Sequence, residues 1–462
     1  MKCTFSKWAL AGVLLMNMHS HAQPVKNAMP LDAALAAIVH HPATPLASLS
    51  VLAVRDGKVV YEKQFGSKWI DPTNPANPSN NKPADQHTLY RIASISKTIT
   101  TLGVMKLVED GKLKLDTDVS EYLGYTLRNP HFPDAAITLR MLLNHTSTLR
   151  DDAGYYWDAN SNVDLQDVLL PGGRLHGKGA MWASNKKPGE YFQYANLPWG
   201  VVGSIMERAT NERFDRLMRR LILEPMALPG GFHPADMSAA DLANVATLYR
   251  KRSDINGKEV WNPAGPWVAQ VDDHSKTPPV PRANPGYVIG SNGTLFGPQG
   301  NCRLSAQGLA HIMLMLMNKG QHNGKPILAE KTVEMMLAPQ WRHNGLRGLA
   351  ANGDNYKGQF HAWALGTQIF LDVSDVGKGD RLIEGGGVTG VGHFGDAWGL
   401  TSLMVFDRTT RNGMIFLSGG PGFNSDTTPG KYSSMPRYEE QILTALHRYA
   451  IRGDHEKITK VQ

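Results

Sequence analysis

A serine followed three residues later by a lysine has a chemical use when a helix carries the pair, because that spacing puts both side chains on one face. A serine hydroxyl is a weak nucleophile, and a lysine held against it serves as its base once removal from water lowers the ammonium pKa. The pattern occurs three times, at Ser79/Lys82, Ser94/Lys97 and Ser184/Lys187. Ser79 lies in the Asn- and Pro-rich run 71–87, and Ser184 stands just before Pro188-Gly189. Ser94-Ile95-Ser96-Lys97 alone opens an apolar-periodic stretch, residues 92–109, which predicts a helix. The N-terminus of that helix adds backbone N–H donors and a partial positive field. The same residues also suit an N-capping serine with a solvent-facing lysine, and the pair by itself leaves the two readings level.

Holding such a helix in place requires a scaffold, and the flanking patterns predict one. A short apolar helix opens at Pro30-Leu31-Asp32, and two strand-like runs, 46–55 and 58–65, are joined at Asp56-Gly57, a strong hairpin signal. Helical patterns follow at 139–144, 199–210, 211–223 and 237–250, while the Pro-rich stretch 254–285 reads as loop. A Met- and Leu-rich helix begins after Leu304, strand runs occupy 366–373, 400–406 and 413–417, and a terminal helix covers 438–451. Strands at both ends around a helical middle predict one sheet built from both termini. This is an α/β (α+β) chain with its α/β part at about 23–105 and 290–462 and its helical part at about 106–289.

Four motifs then appear in order. They are Arg91-Ile92-Ala93-Ser94-Ile95-Ser96-Lys97-Thr98; Leu142-Leu143-Asn144-His145-Thr146-Ser147; Pro188-Gly189 leading to Tyr194-Ala195-Asn196; and Gly392-His393-Phe394-Gly395. With Ile222-Leu223-Glu224-Pro225-Met226 between the last two, the chain resembles the serine β-lactamase-like hydrolases over about residues 45–420. That superfamily holds class C β-lactamases, DD-peptidases, D-aminopeptidases and related esterases. The resemblance implies an antiparallel sheet flanked by helices, with an inserted all-helical region meeting it at a cleft.

It also implies roles. Ser94 would be the acylated nucleophile and Lys97 its proton acceptor or electrostatic activator, with Tyr194 shuttling protons between nucleophile, leaving group and water. Adjacent ammonium charge would lower the tyrosine pKa, and either Lys97 or Tyr194 could be the base. Asn196 would offer its amide to the substrate. The last motif is expected on an edge strand, where the backbone N–H of Asp396 joins that of Ser94 as an oxyanion hole, and Gly395 leaves room for substrate. His393 would polarise or hydrogen-bond the substrate, and His145 would brace its loop. The sequence departs from class C β-lactamases in carrying His393-Phe394-Gly395 where they have Lys-Thr-Gly. Losing that charge and hydroxyl weakens carboxylate binding by about tenfold or more, which counts against a substrate with a free carboxylate. Thr148 stands where the family usually has glycine. The aromatic residues Tyr155-Tyr156-Trp157 and Trp398 are expected to pack rather than to touch substrate.

The remaining composition narrows the class. Of 462 residues 42% are hydrophobic and 19% charged, enough apolar material for a large core. A net charge of +7 is scattered with no basic run beyond short pairs such as Lys186-Lys187, which argues against a nucleic-acid partner. Lys2 and Lys7, the apolar run 8–18 and Ser20-His21-Ala22 predict a signal peptide over residues 1–22 and a periplasmic or secreted protein. No stretch reaches the length of a membrane span. Cys3 would leave with the signal, so Cys302 is expected to be a buried small hydrophobe. No paired histidines at helical spacing and no cysteine cluster point to a metal, and no cofactor is implied. The expected activity is hydrolysis of a small ester, amide or peptide, including D-amino-acid types, through an acyl-enzyme. A DD-peptidase or penicillin-binding protein, a class C-like β-lactamase, and a catalytically silent binding or regulatory protein on the same fold are the alternatives. The oligomeric state is not readable.

Overall fold

The computed structural model describes residues 28–74, 77–157, 161–283, 285–397 and 399–454. The expected signal peptide and Trp398 lie outside the described residues. Nine strands form one sheet in the order Trp341–Arg342, Ala362–Trp363, Gln368–Phe370, Gly390–Ala397, Leu400–Asp407, Asn412–Ser418, Ser48–Arg55, Lys58–Trp69 and Lys82–Pro83. Every pairing in it is antiparallel. The hairpin turns where Asp56 and Gly57 both take positive φ (52° and 74°), the backbone of a tight turn that follows the strand twist. Its first strand pairs with the last long strand, Leu49 opposite Ser418, so the two ends of the chain share one sheet.

The central strands are buried on both faces, which is why they read as near-continuous apolar runs. Their side chains alternate between two cores. Leu52, Val54, Met404, Phe406, Ile415 and Leu417 join the core that holds the helices Ile95–Glu109 and Ala306–Met317. Leu49, Val51, Leu403, Val405, Met414 and Phe416 face the helices Ala28–Val39 and Arg437–Ala445. The helix Ile95–Glu109 is buried around nearly its whole circumference from Ile95 to Met105, which fits its lack of acidic residues before Glu109. Cys302 is buried and unpaired, its thiol pushed up to about 12 by burial. Among the described residues no helix is long and apolar enough to cross a membrane.

Three expectations need correction. Residues 237–250 are not one helix: a short turn of helix, Ala239–Ala243, gives way to the strand Leu248–Ile255. The region 254–285 is not loop throughout, because that strand pairs with both Lys258–Trp261 and Trp267–Val271 to make a separate three-stranded sheet. Asn256-Gly257, both at positive φ, is the hairpin signal that the charged, weakly apolar flanks obscured. Finally, Gly390–Ala397 is an interior strand. Gln368–Phe370 covers only residues 390–392, so 393–397 keep one bare edge, and the expected edge exists for that half of the strand alone.

Candidate active site

The chain leaves the strand Tyr90–Arg91, passes Ala93 at a left-handed φ of 47°, and enters the helix at Ser94. This sharp elbow is held by Ser402, whose hydroxyl donates to the Ile92 carbonyl at 3.2 Å, and by Ser96, whose hydroxyl accepts the Cys302 N–H at 3.0 Å. Ser94 occupies the N-cap position but makes no capping bond, and Lys97 is 0% exposed. The capping-serine, solvent-lysine reading is therefore excluded.

Lys97 Nζ lies 3.0 Å from Ser94 Oγ, 2.8 Å from Asn196 Oδ1 and 3.2 Å from the Gln299 carbonyl. Burial pushes Lys97 down to about 7, against the opposing pull of Asp151. A neutral amine has two N–H groups and one lone pair. The amide oxygen of Asn196 and the carbonyl of Gln299 can only accept, so they take the two hydrogens and the lone pair is left facing the Ser94 hydroxyl. Tyr194 O–H donates to Ser94 Oγ at 2.9 Å. Contrary to expectation, the Tyr194 phenol is raised far above its ordinary 10. Burial is the largest cause, and Lys97 Nζ sits over the ring, 4.8 Å from its centroid. The arrangement can pass a proton in one direction: Tyr194 to Ser94 Oγ, and Ser94 to Lys97.

Asn196 owes its orientation to Asp151, a residue the sequence reading did not single out. Asp151 accepts from the Asn196 and Leu197 backbone N–H groups and, at 2.8 Å, from Asn196 Nδ2. It thereby caps the helix Leu197–Thr210 and turns the amide oxygen toward Lys97. Pro198 at the start of that helix was the available signal that an N-terminus needed a partner, but nothing local identified Asp151. Asp151→Ala should lower kcat about 10- to 100-fold with a smaller effect on KM, because the amide is freed to turn; steady-state kinetics on a chromogenic ester will show it.

The surroundings of Tyr194 are aromatic. Its ring lies 4.6 Å from that of His145 and 5.2 Å from Phe360, and Tyr356 O–H donates to the Tyr194 carbonyl at 3.1 Å. His145 is buried, accepts the Ala195 N–H at its Nδ1, and is held well below its ordinary pKa by burial, which fits the expected bracing role. Thr148 takes a left-handed φ of 68°, the reason glycine suits that place, and its hydroxyl accepts from Asn129 Nδ2 at 2.9 Å.

On the strand Gly390–Ala397, His393 is buried, its ring 5.2 Å from Trp363. Its Nδ1 lies against the Phe394 carbonyl, which can only accept, so Nε2 carries the free lone pair. Burial, and then Lys97, push His393 down to about 3, so it enters the site uncharged. Phe394 turns its ring to Phe370 at 5.2 Å. Gly395 has a structural reason beside the expected room for substrate. A Cβ there would meet the Ile92 carbonyl at 2.6 Å, so its bareness lets the strand close on the elbow that carries Ser94. Gly395→Ala should destabilise by about 1–3 kcal/mol and lower the melting temperature.

A cleft of about 820 Å³ opens over these residues, bringing together Ser94, Tyr194, Asn196, His393 and Asp396. Tyr155 and Tyr156 line it too, Tyr156 being 52% exposed, so two of the four aromatic residues expected to pack do border the cleft. Trp157 packs on the core as expected.

Comparison with known proteins covers the same span. Residues 34–433 match the Beta-lactamase family. Protein flp of Staphylococcus aureus (strain N315) is 32% identical over 181 residues, 38% of this chain and 33% of that protein. Penicillin-binding protein 4* of Bacillus subtilis (strain 168) is 29% identical over 185 residues, 39% of this chain and 36% of that protein. The matched segment thus spans about a third of the length of these curated relatives. Two solved structures share the fold. The octameric penicillin-binding protein homologue of Pyrococcus abyssi has a TM-score of 0.58 at 20% identity, over 89% of this chain and 75% of that one. The D-amino acid amidase of Ochrobactrum anthropi SV3 has a TM-score of 0.55 at 17% identity, over 91% and 96%. The family match takes in the shared sheet, the elbow and the whole helical part, and this chain belongs to the Beta-lactamase family.

Proposed function

We propose that the protein is an exported serine hydrolase that cleaves a small ester or amide, including amides of D-amino acids or short peptides, through an ester formed on Ser94. The observation that carries the reading is the continuous contact Tyr194–Ser94–Lys97, at 2.9 and 3.0 Å around a lysine brought down to about 7. Lys97 takes the Ser94 proton as Oγ attacks the scissile carbonyl. The backbone N–H groups of Ser94 and Asp396 receive the oxyanion, and Tyr194 gives its proton to the leaving oxygen or nitrogen while taking back the one that Lys97 received from Ser94, so lysine and phenol both end neutral. Water then attacks the ester with the same groups in reverse.

Two features favour an ester or amide over a β-lactam. The strand that carries the lysine and hydroxyl of class C β-lactamases offers here an uncharged His393 and a Phe394 turned into the opposite core. A protein of similar fold is a D-amino acid amidase. The test is intact-protein mass and absorbance after incubation with three compounds: a p-nitrophenyl ester, D-phenylalanine p-nitroanilide and a penicillin, with Ser94→Ala as control. Turnover of the ester or anilide without penicillin ring loss supports the reading. A persistent Ser94-dependent penicillin adduct would make the protein peptidase-like, ring loss would make it a β-lactamase, and no turnover with no adduct would make it a silent member of the fold. Export predicts that protein recovered from the periplasm or medium begins at Gln23, which N-terminal mass analysis checks.

A further inference from the structure

One end of the cleft gathers more guanidinium than carboxylate. Arg91, three residues before the nucleophile, and Arg282, on the segment after the three-stranded sheet, both line the cavity that holds Ser94. Behind them Arg303, 1% exposed, grips both oxygens of Asp272 at 2.6 and 3.0 Å. Three guanidiniums therefore share one carboxylate, and Arg303 takes it. Arg91 donates from Nε to the Gly300 carbonyl at 3.1 Å, and Arg282 lies 5.5 Å over the ring of Tyr156; among the described residues neither forms an ion pair. Among the described residues neither acid that lines the cleft forms an ion pair with these arginines: burial raises the Asp396 carboxyl against the pull of Arg250, and Asp151 is bonded to the helix start at Asn196 and Leu197.

Crowding of like charges shows in Arg91 itself, which burial, Arg303 and Arg282 push down to about 10 against the pull of Asp272. Arg282 is also pre-positioned. Its backbone N–H donates to His233 Nε2 at 2.6 Å, which ties the segment to the body of the protein while the guanidinium stays in the cleft. Two forked donors over a polar floor match the planar geometry of a carboxylate.

We propose that Arg91 and Arg282 form an anion subsite, and that the natural substrate carries a carboxylate held there while Ser94 attacks the scissile carbonyl. This rests on Ser94 being the nucleophile. It also accounts for the missing Lys-Thr-Gly: carboxylate recognition is not lost from the cleft but is moved from the strand of His393 to Arg91 and Arg282.

The test uses two matched pairs of esters. One pair places the charge on the acyl part: the mono-p-nitrophenyl ester of glutaric acid against its terminal carboxamide. The other places it on the leaving group: the acetate ester of 3-hydroxybenzoate against that of 3-hydroxybenzamide. In at least one pair the carboxylate should be preferred in kcat/KM by about tenfold or more, and the ratio should fall toward one in Arg282→Gln and in Arg91→Gln. Arg282 lies outside the sheets and helices, so Arg282→Gln keeps the test open if Arg91→Gln fails to fold. A ratio near one in both pairs, or a preference unchanged by either substitution, overturns the subsite. Turnover of the neutral esters that disappears in Ser94→Ala would leave the nucleophile assignment standing in that case. If no ester is turned over, calorimetry of glutarate against glutaramide on the Ser94→Ala protein still decides: binding of glutarate alone, lost in the double variant with Arg282→Gln, supports the subsite, and equal or absent binding overturns it.

Discussion

Ser94→Ala should lower kcat/KM for a reactive ester by about 10,000-fold or more, since the bond-forming atom is gone and what remains is binding and the oxyanion site. The fold should scarcely notice. Ser94 makes no capping bond, and the helix that follows is fixed by its buried sides and by Ser96 and Ser402. The melting temperature should therefore stay close to that of the native protein while all covalent adducts disappear from the mass spectrum. A variant that kept full activity on every acyl substrate would remove Ser94 from the mechanism.

Lys97→Met should cost about 1,000-fold or more in kcat, because the Ser94 hydroxyl loses the lone pair that faces it. The pH dependence carries the more specific signature. Native activity should rise as pH increases through about 7, where Lys97 loses its proton, and Tyr194→Phe should keep that limb while lowering its plateau. A limb governed by Tyr194 would instead lie far to the alkaline side, since burial raises that phenol. Stability is linked to the same group. Between about 7 and the ordinary 10.5 of lysine the unfolded chain binds more protons at Lys97 than the folded one does, so this group makes stability rise with pH across that window. Below about 7 both states are protonated and its contribution is flat. Lys97→Met should remove that slope, measurable as the pH dependence of denaturant midpoints.

Much of this site was readable from local pattern because helix spacing is rigid. The spacing of three from Ser94 to Lys97 fixes one face, and an apolar stretch with few charges signals a helix buried on all sides. The hairpin at Asp56-Gly57 and the terminal strands were legible for the same reason, as short-range geometry dictates their turns and alternation. What escaped depends on contacts between distant segments. Asp151 looks like one acid among many until the helix start at Asn196 is brought to it. Gly395 suggested room for a substrate, but that a Cβ there would also meet the Ile92 carbonyl, in the elbow before Ser94, depends on a distant segment. The Tyr194 pKa was misjudged because nearby charge was weighed and burial was not visible. The three-stranded sheet was missed because its strands carry charged residues and lie half-exposed, so propensity gave little contrast with a helix.

The pairing of Leu49 with Ser418 joins positions 369 residues apart. Contacts so distant in the chain are slow to form, because the entropy of closing the intervening loop must be met before any ladder bond rewards it. During synthesis the hairpin Ser48–Trp69 is made early and waits, one long apolar edge bare, for strands that emerge almost last. Central-sheet closure is thus a late event that requires nearly the whole chain. Until then that edge is open to chaperones or to aggregation.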